Sequence, residues 1–291
     1  MAQTSDRTVP QVRDQRRRPW EHRMSATIDL TSGLSGWLEL SAIMAAGFGA
    51  GMINVVVGSG TLISFPVLLL FGCPPVVANV SNTLGLVPGS LSGTIGYRRE
   101  LRATLARLLL PASTAGGIGG AALLFVLPSE AFELIVPALI ALGIAMVLLG
   151  PLVQRSAARR AAGRPAPTGT PVRRNVVTFA GVFLLGVYGG YFGAAQGILI
   201  VGLLSMLTVE TVQSLNGIKN LLVMAVNLIA AVTFLIIAPA SVDWLVVALI
   251  AVGSALGGIV GARVGRRLSP SALRGIIASI GTVAIVYLLA T

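Results

Sequence analysis

Long apolar runs, interrupted by glycine, proline and charged residues, dominate the chain from residue 37 onward. Division at these interruptions gives ten segments, five followed by five. The predicted segments are 37–57, 59–72, 75–96, 104–127 and 131–153, then 175–193, 195–208, 211–238, 242–262 and 271–290. Because a spanning helix needs about 20 apolar residues, most of these segments are long enough to cross a bilayer. The pattern predicts an all-α polytopic membrane protein.

The second segment of each set of five is short and follows a glycine-rich break. The first break reads GFGAG at 47–51 with GSG at 58–60, and the second reads GVYGG at 186–190 with GAAQG at 193–197. Paired interrupted segments at matching positions are typical of the internal repeats of transporters. We therefore expect two inverted repeats, each with a Gly-broken N-terminal hairpin and three spanning helices, giving about eight crossings.

Composition indicates that lipid, rather than water, surrounds the chain. Hydrophobic residues make up 55% and charged residues 11%, whereas charged residues form about a quarter of a typical soluble domain. The net charge of +11 comes from arginines in four clusters beside apolar segments, at 7–23, 98–107, 155–174 and 263–274. Basic residues in such places mark cytoplasmic loops, so they do not indicate nucleic-acid binding. We expect a multi-pass protein of the inner (plasma) membrane.

The basic clusters and apolar runs also predict the domain organisation. We assign a polar Arg-rich N-terminal tail at 1–36, a first transmembrane repeat at 37–153, a basic cytoplasmic linker at 154–174 and a second repeat at 175–291. In the first half a basic cluster follows the third segment, whereas in the second half it follows the fourth. If every basic loop faces the cytoplasm, the two halves must be inverted relative to each other.

The N-terminal tail conflicts with this topology. An inverted arrangement with the linker inside places both termini outside, yet a tail with six arginines favours the inside. Either Met24 is the true start, which leaves a tail carrying only Asp29 and Glu39, or the region 37–72 crosses a different number of times from its partner. We favour the first explanation, which a topology tag placing the N-terminus inside would exclude.

Lys219 is the only lysine and lies in an otherwise apolar run that begins after Glu210. On a helix this separation is roughly 13 Å, which is inside the hydrocarbon if Glu210 marks the interface. A buried cation needs an anionic partner, and the sequence places no carboxylate at comparable depth. A substrate anion is therefore one candidate partner. The alternatives are that Lys219 snorkels to the surface or pairs with Glu210 in a structural role.

Polar residues of the two halves come into register when Gly60 is aligned with Gly197. The alignment places Asn79 on Asn216, Asn82 on Lys219 and Thr83 on Asn220. Amides and hydroxyls can donate to an oxyanion at a lower desolvation cost than a full charge, although they also bridge helices in membranes. The amides of Asn54 and Asn227 are better interpreted as helix contacts.

The helices that restart after the breaks should present backbone N–H donors to an anion. Irregular backbone inside a membrane is tolerated where it is buried in protein or lines a wet cavity, so we expect a cavity between the halves. The alternative is close helix packing by small residues. The candidate substrate-binding residues are Lys219, Asn82, Asn79, Thr83, Asn216, Asn220, Ser59, Gly60, Gln196 and Gly197.

The order of these motifs resembles the sulfite exporter TauE/SafE family of membrane permeases. The resemblance covers about residues 40 to 290 and is carried by GFGAG at 47–51 through GSG to Pro66, ANVSNT at 78–83, PGSLSG at 88–93, YRREL at 97–101, Gly189, Gly190, Gly193, Gly197, Lys219, Asn227, VDW at 242–244 and GGIVGARVGRR at 257–267. It implies a two-repeat permease that moves sulfite, organosulfonates or related small anions. The chain departs from the family where Ala195 replaces a common glycine and where Gly202 or Leu203 replaces a common proline.

Enzymatic functions find little support in the sequence. His22 and Cys73 are the only histidine and cysteine, so no His-based triad, disulfide or thiolate metal site can be assembled. We expect no enzymatic activity, cofactor or metal, and we expect a small anionic solute and the bilayer as partners, without nucleic acid. A membrane assembly or scaffold subunit, or a permease for a different small solute, are the alternatives. The sequence leaves the oligomeric state open.

The predicted mechanism is alternating access, in which one half rocks against the other around an anion held at the repeat interface. Export is the expected direction, because an inside-negative potential of about 100 mV favours the exit of a monovalent anion by about 2.3 kcal/mol.

Overall fold

A computed structural model describes residues 34–162, 171–208, 210–264 and 270–290, and the contacts discussed below lie within residues 40–290. Ten α-helices occupy these ranges: α1 Leu34–Val56, α2 Thr61–Leu70, α3 Pro75–Gly96, α4 Ala103–Val126, α5 Ser129–Ala162, α6 Pro171–Tyr191, α7 Gln196–Leu207, α8 Val212–Ile237, α9 Trp244–Val264 and α10 Pro270–Ala290. Each predicted segment corresponds to one helix, and the predicted all-α class is confirmed. The N-terminal tail with Met24 lies outside the described residues.

Helix length separates the elements into two groups. Within the described ranges, six helices are long and apolar enough to cross a membrane, namely α1, α4, α5, α8, α9 and α10. Helix α3 reaches 22 residues but is more polar, and in α6 the apolar part is the shorter stretch Asn175–Tyr191. Helices α2 and α7 have only 10 and 12 residues. The two short helices match the predicted short second segments, and the total of eight crossings stays a prediction. Helix α5 continues beyond the predicted repeat boundary to Ala162.

Glycine-lined contacts join helices of different repeats. Gly116 and Gly120 of α4 face the backbone of α6, and Gly253 and Gly257 of α9 face the backbone of α1. These glycine pairs are equivalent in the two halves, because the alignment of Gly60 with Gly197 also places Gly116 on Gly253 and Gly120 on Gly257. A spacing of four between small residues lets two helix backbones approach closely. The same helix crossing therefore occurs twice. Helix α4 of the first repeat packs on α6 of the second, and α9 of the second repeat packs on α1 of the first.

The contacts among the described helices define two bundles. Bundle A, as we name it, contains α1–α3 of the first repeat with α9 and α10 of the second, because α1 and α3 pack on α9 and α2 packs on α10. Bundle B contains α6–α8 of the second repeat with α4 and α5 of the first, through the equivalent contacts. The bundles meet where α3 packs against α8 and where α5 packs against α10. Each bundle thus takes three helices from one repeat and two from the other.

Bundle B has a continuous apolar core built from both repeats. Its buried members come from α4, α6, α7 and α8 and are Leu109, Ala112, Val182, Ile200, Val201, Leu204, Leu215, Ile218, Leu222 and Val223. Van der Waals contacts among these closely packed side chains therefore help to hold the exchanged helices together, in addition to the glycine contacts.

The equivalent helices α3 and α8 run antiparallel where the bundles meet. Ser90 Oγ accepts a hydrogen bond from Asn227 Nδ2 at 3.0 Å, and Thr94 Oγ1 donates to the Asn220 carbonyl at 3.1 Å. Residue numbers thus increase along α3 in the direction in which they decrease along α8. Two inverted repeats require this antiparallel arrangement of equivalent helices. Ser90 and Asn227 occupy equivalent positions in the register of the repeats, so their contact lies on the axis that exchanges the two halves. We call this contact surface the α3–α8 seam.

The glycine contacts predict a sharp difference between two neighbouring positions of α4. A Cβ at Gly120 would lie 2.8 Å from both the Tyr191 nitrogen and the Val187 carbonyl carbon, whereas a Cβ at Gly119 would meet nothing within 4 Å. Gly120→Ala should lower the free energy of unfolding by about 1–3 kcal/mol, because backbone atoms must move apart. Gly119→Ala should be neutral or stabilising by up to about 1 kcal/mol. Thermal unfolding of the purified variants in detergent measures both, and equal losses would contradict the packing.

Candidate functional site

The two glycine-rich breaks meet at Gly58 and Gly197. The Gly197 N–H donates to the Gly58 carbonyl at 3.0 Å, and a Cβ on either glycine would lie 2.6 Å from the Cα of the other. Gly58 has φ +87°, a left-handed conformation that glycine adopts without strain. Backbone touches backbone because neither residue has a side chain. The wet cavity predicted between the breaks is therefore not present at this crossing.

Ala195 precedes α7 in a left-handed conformation, with φ 58° and ψ 15°. At this position the family that the sequence resembles commonly has glycine. A side chain in this conformation costs roughly 1–2 kcal/mol, and buried surroundings must hold it in place. The close approach between the repeats does not depend on this position, since Gly197 makes it.

Lys219 is fully buried and its ammonium donates to the Val55 carbonyl at 2.8 Å. Glu210, the predicted alternative partner, instead accepts from Arg102 at 2.9 Å and from the Ser214 hydroxyl at 3.0 Å. Both alternative interpretations of Lys219 are wrong in this structure: the side chain neither snorkels to the surface nor pairs with Glu210. Within the described ranges no carboxylate forms an ion pair with Lys219.

The position of Lys219 places a charge beside the crossing of the breaks. A Cβ on Gly197 would lie 3.0 Å from Lys219 Cδ, and one on Gly58 would lie 3.2 Å from it. Lys219 belongs to bundle B and its acceptor Val55 belongs to bundle A, so this hydrogen bond spans the two bundles. An ammonium group has three donor hydrogens, and a single carbonyl compensates its charge only in part.

Asn79 and Asn82 occupy the first-repeat side of the α3–α8 seam. Asn79 Nδ2 donates to the Tyr191 carbonyl at 3.0 Å, and Asn82 Oδ1 accepts from the Ser64 hydroxyl. Asn79 Oδ1 and Asn82 Nδ2 are buried without a hydrogen-bond partner in the described part of the chain. Because α3 and α8 are antiparallel, Asn82 and Lys219 lie on opposite sides of the exchange axis. Equivalence in the alignment therefore does not by itself bring Asn82 next to Lys219.

The remaining candidate side chains have mixed environments. Thr83 is half-buried and its hydroxyl donates to the Asn79 carbonyl of its own helix at 2.8 Å. Asn216 is half-buried and makes no hydrogen bond with the described residues. Asn220 is buried, and its Nδ2 has no partner among them, although its carbonyl accepts from Thr94. None of these three side chains forms a hydrogen bond with Lys219 Nζ in the described part of the chain.

The backbone donors predicted at the breaks are largely occupied. The Gly60 N–H donates to Asn54 Oδ1 at 3.4 Å, the Gln196 N–H donates to a carbonyl of its own break at 3.3 Å, and the Gly197 N–H is bound as described above. The prediction of free amides is wrong for these three residues, because acceptors from within and across the breaks satisfy them. Ser59 Oγ is buried without a partner in the described ranges.

A further polar cluster, which sequence reasoning recognised only in part, lies on the exchange axis. Ser90 Oγ accepts from Asn54 Nδ2 at 3.1 Å and from Asn227 Nδ2 at 3.0 Å, which joins α1, α3 and α8. The predicted role of both asparagines in helix contacts is confirmed. Ser90 was not predicted, although it follows Asn82 by about two helical turns and so shares its helix face.

An open cavity of about 790 Å³ lies elsewhere, between the start of α4, the start of α6 and the loop after α7. Its polar lining includes Arg102, Arg107, Asn175 and Glu210. All these elements belong to bundle B or its loops, so the cavity does not separate the two bundles. Its position distinguishes it from the α3–α8 seam.

Comparison with known proteins agrees with the fold. The chain matches the family described as Sulfite exporter TauE/SafE over residues 43–288. It is 32% identical over 160 residues to the Probable membrane transporter protein ORF9 of Sinorhizobium sp, covering 54% of this chain and 58% of that protein. It is 30% identical over 151 residues to the Probable membrane transporter protein YfcA of Escherichia coli strain K12, covering 51% and 52%.

The chain thus spans little more than half the length of these curated relatives. No solved structure matches it significantly. The family match covers most of the chain and agrees with the apolar helices, so the resemblance found in the sequence is confirmed. This multi-pass membrane protein belongs to the sulfite exporter TauE/SafE family.

Proposed function

We propose that the protein is a permease of the cell membrane that exports a small sulfur-containing oxyanion, such as sulfite or an organosulfonate. Family membership supports transport of a small solute. The observation that carries the choice of an anion is Lys219, a cation with no exposed surface and a backbone carbonyl as its partner. Buried ionisable residues in membrane helices mark substrate or ion pathways by default.

An oxyanion is a better partner for the Lys219 ammonium than the Val55 carbonyl. An oxyanion supplies the full countercharge that a neutral carbonyl lacks, and the attraction between opposite charges is strong in a low-dielectric interior. In the substrate-free protein, the carbonyl compensates the ammonium in part and keeps it in place. Binding of the anion replaces this carbonyl and thereby removes one contact between bundle A and bundle B. Substrate binding is in this way linked to bundle movement.

The packing favours bundles, rather than sequence repeats, as the units that move during alternating access. A repeat that rocked as one body would separate the glycine contacts of α4 with α6 and of α1 with α9. A bundle that moved along the α3–α8 seam would keep those contacts and would exchange hydrogen bonds among polar groups. We therefore replace rocking of the halves with relative movement of bundles A and B, in a protein with eight spanning helices and two half-helices.

Direction follows from electrostatics. An inside-negative potential of about 100 mV favours the exit of a monovalent anion by about 2.3 kcal/mol. A carrier of this kind needs no protein carboxylate to couple export to protons.

Lys219→Met tests the proposed function. The substitution keeps an unbranched side chain of similar length but removes the charge that would hold the anion. Loss of one charge-assisted hydrogen bond, worth about 1.5–3 kcal/mol, should lower flux roughly 10- to 100-fold. Flux of sulfite, sulfoacetate and thiosulfate in proteoliposomes measures the effect.

Arg263→Met is the matched control, because Arg263 is an exposed cation at the end of α9. It should leave flux unchanged. Equal flux in wild type and Lys219→Met would remove Lys219 from the transport mechanism, and absence of flux in the wild type would refute the choice of these anions.

Disulfide cross-links test which bodies move, in a Cys73→Ser background that removes the only native thiol. Gly96→Cys with Ala262→Cys joins α3 to α9 within bundle A, where a Cβ on Gly96 would contact the Cβ of Ala262. Ile144→Cys with Gly281→Cys joins α5 to α10 across the bundles, where a Cβ on Gly281 would lie 2.6 Å from Ile144 Cδ1. Both pairs connect the two repeats, so movement of whole repeats predicts that both cross-links block transport.

Movement of the bundles predicts a different result. Oxidation of the pair across the bundles should abolish flux, and a reductant should restore it. Oxidation of the pair within bundle A should leave flux intact. Inhibition by both cross-links would contradict the proposed bundle movement.

A further inference from the structure

The cluster of Asn54, Ser90 and Asn227 presents more donors than acceptors. The Gly60 N–H donates to Asn54 Oδ1, which turns the amide nitrogen of Asn54 towards Ser90. Asn227 also directs its amide nitrogen at the Ser90 oxygen. The Ser90 hydroxyl hydrogen and the second N–H of each amide therefore have no acceptor in the part of the chain that the structure describes. Unsatisfied donors in a low-dielectric interior attract an acceptor-rich ligand.

The burial of the cluster makes this excess significant. Asn54 is 7% exposed and Ser90 is 3% exposed, while Asn227 is half-buried. The amide nitrogens of Asn54 and Asn227 lie 3.1 and 3.0 Å from the Ser90 oxygen. Three donor groups thus converge on one point, as a ligand with several oxygens on one centre requires. A metal cation would instead need oxygen ligands and would be repelled by amide hydrogens.

Symmetry gives this cluster a place that a transported ligand would use. Ser90 and Asn227 are equivalent in the repeats, so they lie on the axis that exchanges bundle A and bundle B. Because this axis exchanges the two sides of the membrane, a site on it is equally distant from both sides. Substrate sites of repeat-built transporters lie at the repeat interface near the bilayer midplane.

We infer that Asn54, Ser90 and Asn227 form a binding site for a small oxyanion at the centre of the α3–α8 seam. The inference rests on the proposed permease function and identifies a second station on the path, separate from Lys219. Asn54 adjoins Val55 in the chain, whose carbonyl holds the Lys219 ammonium. An anion that leaves the Lys219 ammonium can thus bind next at the uncharged donors of Asn54, Ser90 and Asn227. At this second site no full positive charge faces the anion.

Asn227→Asp distinguishes a ligand site from a structural contact. The new carboxylate accepts hydrogen bonds from Asn54 and Ser90 in place of the anion and repels any anion that enters. Sulfite flux in proteoliposomes should therefore fall at least tenfold, while the melting temperature of the purified protein stays equal or rises. Ser90→Ala, a milder change, should lower sulfite flux several-fold. Ser92→Ala is the control, because Ser92 lies on the same helix but donates to the Pro88 carbonyl.

The outcomes separate this inference from the proposed function. Wild-type flux in Asn227→Asp and Ser90→Ala would overturn the site while leaving the permease intact. If the wild type transports no sulfite, the proposed function fails, and thermal stabilisation of the full-length protein by sulfite then decides the site. Stabilisation that is present in wild type and Ser92→Ala but absent in Asn227→Asp supports the site, and its absence in all three overturns it.

Discussion

Backbone-to-backbone contact between the two repeats is the constraint on which the rest of the structure depends. The α4–α6 and α1–α9 contacts place glycines against facing backbone within each bundle. Inside a bilayer, apolar surface gives no preference for protein over lipid, so close van der Waals packing must hold helices together. The glycines of these two helix crossings allow this packing between the repeats. Bundles A and B, each built from helices of both repeats, result from these contacts.

The α3–α8 seam is the opposite kind of surface. The hydrogen bonds between the bundles at this seam and beside it include those of Lys219 with Val55, Asn79 with Tyr191, Thr94 with Asn220, and Asn227 with Ser90. Such contacts can be exchanged for a polar ligand at small cost, whereas a glycine crossing has no substitute partner. The protein thus combines surfaces suited to stay together with one surface suited to open. In our account this division allows an anion to pass through an otherwise apolar helical body.

The sequence predicted the helices well because their ends carry local signals. Glycine, proline and charged residues interrupt the apolar runs, and all ten segments became helices. It could not predict which helices pack together, since periodicity carries no information on partners. The occupied amide of Gly197 depends on the Gly58 carbonyl, which is distant in the chain. Likewise, a register alignment shows that Asn82 and Lys219 are equivalent, but only the antiparallel seam shows that they lie apart.

Lys219 offers a direct test of the central claim that an anion replaces a carbonyl at a buried ammonium. Because it is the only lysine, protein made with isotope-labelled lysine gives one side-chain signal in a nuclear magnetic resonance spectrum. Sulfite should shift this signal saturably, whereas neutral dimethyl sulfone should leave it unchanged. A signal that does not move at sulfite concentrations that saturate transport would show that Lys219 only supports the fold, and it would contradict the account.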